Sequence, residues 1–267
     1  MTARTARSFD AGAVAYDQFT GRWSRLYVPS LLSAAAIERG HTVLDVAAGT
    51  GQATIALASR VGDAGRVVAV DLSPSMLSVA AGKTAGLPAR FAIMDGQRLA
   101  CRSRSFDAVV CQLGLMFFPD PLRGLAEFRR VLRSGGRTVV QVWSRPDLVP
   151  YFGILADALS AEVPEQREML YEPSALADTA RLSALLTQAG FREVSVIAER
   201  RSLAFPSFEA YWDGIEAGAS RPGQLYLSLG EDRRRRVREA VERAMAPFRA
   251  GGGLMLEVEA FIGRGVA

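Results

Sequence analysis

The sequence predicts an α/β fold built on a mostly parallel sheet with helices on both faces. Three observations predict it. Short apolar runs alternate with helical stretches between Thr42 and Trp143, the first run ends in a glycine turn, and the next two end in aspartates. With 267 residues, 49% of them hydrophobic and 22% charged, the chain can bury a sizeable core in one domain that carries an insertion.

The elements follow in order. Residues 11–39 read as helical, with Gly21 and Pro29 breaking the pattern. Thr42 to Val46 is the first strand, followed by the turn and a helix from about Gln52 to Val61. Arg66 to Asp71 is the second strand. Ser73-Pro74 then opens a helix carrying Met76, Leu77 and Val79, because proline at the first helical position gives up only an N–H that would lack a partner anyway. Ala89 to Met94 is a short third strand ending at Asp95-Gly96. Phe106 to Gln112 is the fourth, continuing through Leu113–Phe118 into the turn Pro119-Asp120-Pro121. A helix from Leu122 to Leu132 is expected to close at Gly135-Gly136, ahead of a fifth strand from Arg137 to Trp143. Beyond it, residues 147–190 read as helices, Glu193 to Phe205 as a strand, 207–248 as helices and Leu254 to Gly263 as a last strand. The change of pattern predicts an antiparallel end to the sheet.

The charge balance excludes some function classes. Thirty-two Lys and Arg against 28 Asp and Glu leave a formal net charge of +4, and all but one of the cations are arginines, Lys83 being the exception. The densest run, Arg233-Arg234-Arg235-Arg236 with Arg238, is interleaved with Glu231, Asp232, Glu239 and Glu242, as on a solvated helix face, so no nucleic-acid partner is expected. Cys101 and Cys111 make no disulfide framework and have no partners at metal-ligand spacing. His41 is the sole histidine, so no metal site is expected. Met1 to Phe9 has no apolar leader segment and no apolar run approaches about 18 residues, so a cytoplasmic protein without a membrane span is expected.

The chemistry concentrates at the strand ends. Where a parallel strand passes into a helix, glycines let backbone approach a ligand closely. Gly49-Thr50-Gly51 after the first strand fits that geometry, and alone it is equally open to a dinucleotide. Asp71 ends the second strand, 20 residues after Gly51, where a carboxylate can accept from both hydroxyls of a ribose. Asp95, beside Gly96 at the end of the third, can accept from an adenine amino group. A dinucleotide turn wants a small third residue under a pyrophosphate, and counting from Gly49 or Ala47 that position is Thr54 or Gln52, which points to a nucleoside ligand without phosphate.

These residues carry a family resemblance. Val43-Leu44-Asp45-Val46-Ala47-Ala48-Gly49-Thr50-Gly51 resembles the first motif of the class I S-adenosylmethionine-dependent methyltransferases. Val70-Asp71-Leu72-Ser73-Pro74-Ser75-Met76-Leu77 resembles the second, and Asp95-Gly96, Phe106–Val110 and Val131–Arg137 are similar to those that follow. The stretch Ala15 to Ser24 is similar to the lead-in of the ubiquinone/menaquinone C-methyltransferase-like group, methyltransferase type 11. Ala47 departs from the pattern, since many members have glycine there.

The resemblance implies a Rossmann-like fold with a seven-stranded, mostly parallel sheet, an antiparallel last strand and a helical insertion. The whole chain, 1–267, would be one methyltransferase domain. It would comprise an N-terminal helical lid at 1–40, a cofactor-binding core at 41–145, and helical substrate-cap elements at 146–190 and 206–250. S-adenosyl-L-methionine is the implied cofactor. Ala47, Gly49 and Gly51 would pass beneath its methionine part, with Asp45 orienting the turn. Asp71 would hold the ribose, Leu72 and Met76 would flank the adenine, Asp95 with Gly96 would read its edge, and Gln112 would close the methionine side. Tyr16 and Trp23 would lie over it. The implied acceptor is a small apolar or aromatic metabolite with a carbon, oxygen or nitrogen nucleophile, and Met116, Phe117, Trp143, Tyr151 and Tyr211 are its candidate contacts. Phe152 and Phe208 are read as core. Monomer and homodimer both fit, and the alternatives are a member of the fold that transfers no methyl group and a nicotinamide-dependent oxidoreductase.

Overall fold

A computed structural model describes residues 12–267; the segment Met1 to Phe9 and the first part of the expected lid lie outside the described residues. The first described helix, α1 (Ala13–Ala34), runs through both Gly21 and Pro29 without a break. Gly21 lies where α1 crosses the start of the next helix, and a Cβ there would stand 2.9 Å from Gln52 Nε2. Trp23, Tyr27 and Leu31 bury the inner side of α1. The Tyr27 hydroxyl donates to the carbonyl of Val258 at 2.7 Å, tying the helix to the far half of the sheet.

Strands β1 (Thr42–Val46), β2 (Arg66–Asp71) and β3 (Ala89–Ile93) alternate with α2 (Gln52–Val61) and α3 (Pro74–Lys83). Ser73 caps α3 through its hydroxyl, which accepts from Met76 N at 3.2 Å, so the Ser-Pro start works as the sequence predicts. After β4 (Phe106–Gln112), helix α4 (Pro121–Val131) ends at Val131 and β5 (Leu132–Trp143) begins at once. The Gly135-Gly136 pair therefore does not terminate the helix. Gly135, at φ +77°, lets β5 turn, its N–H donates to Ala267 O at 3.1 Å, and Ala267 N donates back to Gly136 O at 2.9 Å. The pair docks the end of the chain onto the sheet.

Helices α5 (Pro150–Glu162), α6 (Arg167–Tyr171) and α7 (Thr179–Gln188) lead to β6 (Arg192–Phe205). Then α8 (Phe208–Glu216), α9 (Arg221–Ser228) and α10 (Glu231–Ala244) lead to a short β7 (Arg249–Ala250) and to β8 (Gly253–Val266). The sheet order is β3-β2-β1-β4-β5-β8-β6, with β7 pairing β8 off this path, so the described residues form eight strands where seven were expected. The extra strand is a two-residue hairpin arm beside Gly251 and Gly252, too short to leave a pattern in the sequence. β8 runs antiparallel to both β5 and β6, which makes the mixed end that the change of pattern predicts. All of β1 and the middle of β4 are buried on both faces, as the continuous apolar runs of a covered parallel sheet require. The C-terminal ends of β1, β2 and β3 and of neighbouring β4 open to one edge, and the strand order reverses direction between β1 and β4. In α/β sheets, ligands bind at such a point.

Candidate active site

The floor of the site is the turn after β1. Ala47 and Gly49 both adopt left-handed backbone, at φ +55° and +53°, which for an alanine costs roughly 1–2 kcal/mol. The Ala47 methyl is tolerated because the residue opposite is Gly114, where a Cβ would stand 2.4 Å from it. At Gly49 a Cβ would have no atom within 4 Å, so the bare backbone there faces open space. That space is a cleft of about 830 Å³ between the turn, α1 and the ends of β2, β3 and β4.

Most of the residues singled out in the sequence line this one cleft. Asp45, Ala47 and Gly49 form its floor, Asp71, Leu72 and Met76 one wall, Asp95 and Gly96 its far end, and Gln112 and Tyr16 the side under α1. Asp71 is held by two backbone donors, Gly49 N on Oδ2 and Ser73 N on Oδ1, both at 2.9 Å. Those bonds set the plane of a carboxylate that can accept about four. Asp95 Oδ1 accepts from Gln97 N at 2.9 Å. Gln112 Nε2 donates to Ser24 O at 2.8 Å and to Gln141 Oε1 at 2.9 Å, so its amide hydrogens bind α1 to the sheet. Gly96 is also a packing necessity, since a Cβ would stand 2.5 Å from Phe118 Cζ.

Asp45 is the most unusual group. Its Oδ2 accepts from Thr54 Oγ1 at 2.6 Å, while Oδ1 is buried without a hydrogen-bond partner. Burial, with the negative charge of Asp71 adding to it, pushes this acid up to about 7. Thr54, the residue that argues against a dinucleotide turn, is thus the buried partner of the cleft's own carboxyl.

Three expected site residues lie elsewhere. Gly51 does not line the cleft. At φ +82° it caps α2, and a Cβ would stand 2.8 Å from Ala80 Cβ, so it serves the close packing of α2 on α3. Trp23 is fully buried, stacked on Tyr151 with ring centroids 4.7 Å apart, because the inner side of α1 faces the aromatic core at that position. Tyr211 is equally buried, and its hydroxyl donates to Tyr151 O at 2.7 Å. Phe152 is buried in the core, as read, and also lines a cavity, while Phe208 is half-buried and packs on Trp212.

A cluster outside the residues singled out in the sequence fastens α1 to the turn. Asp17 Oδ1 accepts from Thr50 Oγ1 at 2.6 Å, from Gln52 Nε2 at 2.7 Å and from Lys83 Nζ at 2.5 Å. Burial works to raise the Asp17 acid, but the hydrogen bonds from Lys83 and Thr50 outweigh it and hold the acid below the usual carboxylate range. The signal was present in Lys83, the one lysine in a chain of arginines.

A second cavity of about 690 Å³ adjoins the first, and Tyr16, Leu113 and Phe117 are common to the walls of both. Met116, Trp143, Tyr151 and Phe152 line it, so four of the five candidate acceptor contacts (Met116, Phe117, Trp143 and Tyr151) come together there.

The comparisons with known proteins fit this geometry. Residues 43–136 match the family model described as a methyltransferase domain. A demethylmenaquinone methyltransferase of Staphylococcus epidermidis is 33% identical over 182 residues, covering 62% of this chain and 74% of that protein. The chain belongs to the class I S-adenosylmethionine-dependent methyltransferases. A ubiquinone/menaquinone biosynthesis C-methyltransferase of an Enterobacter species is 31% identical over 153 residues, 54% of this chain and 61% of that one. A methyltransferase structure from Aquifex aeolicus shares the fold at a TM-score of 0.53 and 20% identity, over 74% of this chain and 92% of that one. A phosphoethanolamine N-methyltransferase of Haemonchus contortus shares it at 0.58 and 17%, over 96% and 57%. The methyltransferase's cleft suits the family's cofactor. The partnerless Asp45 Oδ1 offers an acceptor to an ammonium group, and the bare backbone at Gly49 leaves room beneath a bulky ligand.

Proposed function

We propose that this methyltransferase acts on a small, largely apolar ring compound seated in the second cavity. One observation carries the reading: a cavity walled by Met116, Phe117, Trp143, Tyr151 and Phe152 meets the cofactor cleft across Tyr16, Leu113 and Phe117. Aromatic walls suit a flat apolar acceptor. The names of the relatives, which are quinone methyltransferases, support the same class, and the C-methyltransferase among them favours a ring carbon as nucleophile.

In this reading Ala47 and Gly49 lie beneath the methionine part of the cofactor, and Asp45 draws its ammonium. Asp71 holds the ribose, Leu72 and Met76 flank the adenine, and Asp95 with Gly96 reads its edge. Gln112 closes the methionine side and Tyr16 covers it. Bound S-adenosylmethionine supplies a methyl group already activated on a sulfonium. The protein's own part is to align the acceptor with it and to exclude water, and alignment can supply up to roughly 7–11 kcal/mol. Burial, with Asp71 and Asp17 adding to it, raises the Tyr16 hydroxyl, and burial raises that of Tyr151, so both remain hydrogen-bond donors at neutral pH. Neither hydroxyl is therefore a base towards an acceptor that must lose a proton.

The test is turnover with S-adenosylmethionine across a set of naphthoquinols, phenols and aliphatic amines. Methylation of the ring compounds is expected. Methylation confined to the amines would overturn the ring-acceptor reading.

A further inference from the structure

The second cavity has one feature that an apolar acceptor leaves unused. Among the described residues lining it, Arg221 alone is charged. It is the first residue of α9, beside its cap Ser220, and its side chain is only 21% exposed. Nη1 donates to Glu172 Oε2, which fixes the guanidinium from the side of the 172–174 turn. A guanidinium carries five N–H donors in one plane, so a single bond to Glu172 leaves most of them to other partners. Glu172 does not line the cavity.

Resting on the proposed ring acceptor, we propose that Arg221 is the specificity-determining residue of this cavity and that the acceptor carries an anionic oxygen group, a carboxylate, on its ring. Glu172 acts as a positioning residue for Arg221. A guanidinium at the edge of a low-dielectric cavity favours a carboxylate through charge-assisted hydrogen bonds and disfavours a cationic amine. The remaining walls, Trp143, Phe152 and Met116 among them, take the ring itself.

The experiment is calorimetric binding of 1-hydroxy-2-naphthoate and of 1-naphthol, two compounds that differ by the carboxylate, to protein loaded with S-adenosylhomocysteine. The wild type is expected to bind the naphthoate at least about tenfold more tightly. In Arg221→Gln that ratio should fall to within about twofold, whereas in Glu172→Gln, which breaks the same ion pair but keeps the guanidinium, the preference should persist. If the ion pair only braced the fold, the two variants would behave alike, and that result would overturn the proposal. Binding of S-adenosylhomocysteine checks that each variant folds, and if Arg221→Gln does not, the wild type and Glu172→Gln still decide. Equal binding of both compounds by the wild type would remove Arg221's role and leave the ring acceptor standing. Binding of neither would remove both.

Discussion

A buried carboxyl with one oxygen unsatisfied, Asp45, sits where the cofactor's ammonium is proposed to lie, and its titration can be followed. Its acid is pushed up to about 7, above the roughly 3.9 of an unfolded chain. The folded state therefore holds this proton more tightly than the unfolded state. Asp45's contribution to stability is fully present below about pH 4 and is lost as pH rises towards 7. Cofactor binding works in the opposite sense, because an ammonium favours the ionised acid. Affinity for S-adenosylhomocysteine, measured by calorimetry, should rise by up to about tenfold between pH 6 and 8. In Asp45→Asn that rise should disappear, and a variant that kept it would show that another group titrates. A second prediction at this scale concerns the alanine in the turn. Gly114→Ala should cost about 1–3 kcal/mol in urea denaturation, since its methyl meets that of Ala47. Adding Ala47→Gly should restore most of the loss, because it removes both the opposing methyl and a left-handed L-residue. Failure of the rescue would mean that the clash is with Cys111 Sγ, 3.1 Å from the same Cβ, instead.

At the scale of elements, α1 flanks the cleft and its attachment to the turn can be tested. Tyr16 covers one side of the cleft, and Asp17 fastens the helix to Thr50, Gln52 and Lys83. Asp17→Ala strands three donors, one of them cationic, at a cost of about 1–3 kcal/mol. Limited proteolysis should then cut within Ala13–Ala34 faster than in the wild type, and added S-adenosylhomocysteine should slow the cutting. Unchanged cutting would assign the docking of α1 to Tyr27 and Trp23 alone. The strands of the first half were legible in the sequence because each is a short apolar run with a turn signal after it. The start of β5 was not. Gly135-Gly136 looks like a helix stop, and only the pairing of Gly135 N with Ala267 O, 132 residues away, shows that it belongs to the sheet.

For the molecule as a whole, one aromatic core joins α1 to the insertion and to β6. Trp23 packs on Tyr151 and Phe205, and Phe19 on Tyr151, Phe205 and Tyr211. Trp23→Ala should lower stability by about 3–5 kcal/mol. Trp23→Phe should cost clearly less, since it also deletes the indole N–H that has no partner in the core. Equal losses in thermal melting would show that volume alone sets the value of this position. No helix among the described residues is long and apolar enough to cross a membrane.

By itself the sequence determined the order of the parallel elements, the mixed end of the sheet and the place of the turn, because hydrophobic period, caps and glycines act over a few residues and are written locally. It also set most of the groups along the cleft, since the ends of successive strands fall at one edge of any such sheet. The tertiary structure decided which aromatics face a cavity and which are packed away. Trp23, Tyr151 and Tyr211 look alike in sequence and all three are buried, and only the contacts between distant elements put Tyr151 on the cavity wall and keep the other two off it. It decided Gly51 as well, whose left-handed backbone and closeness to Ala80 call for glycine, and it alone brought Thr50, Gln52 and Lys83 to the Asp17 carboxylate. Such contacts depend on which surfaces meet across long stretches of chain, and no local pattern records them.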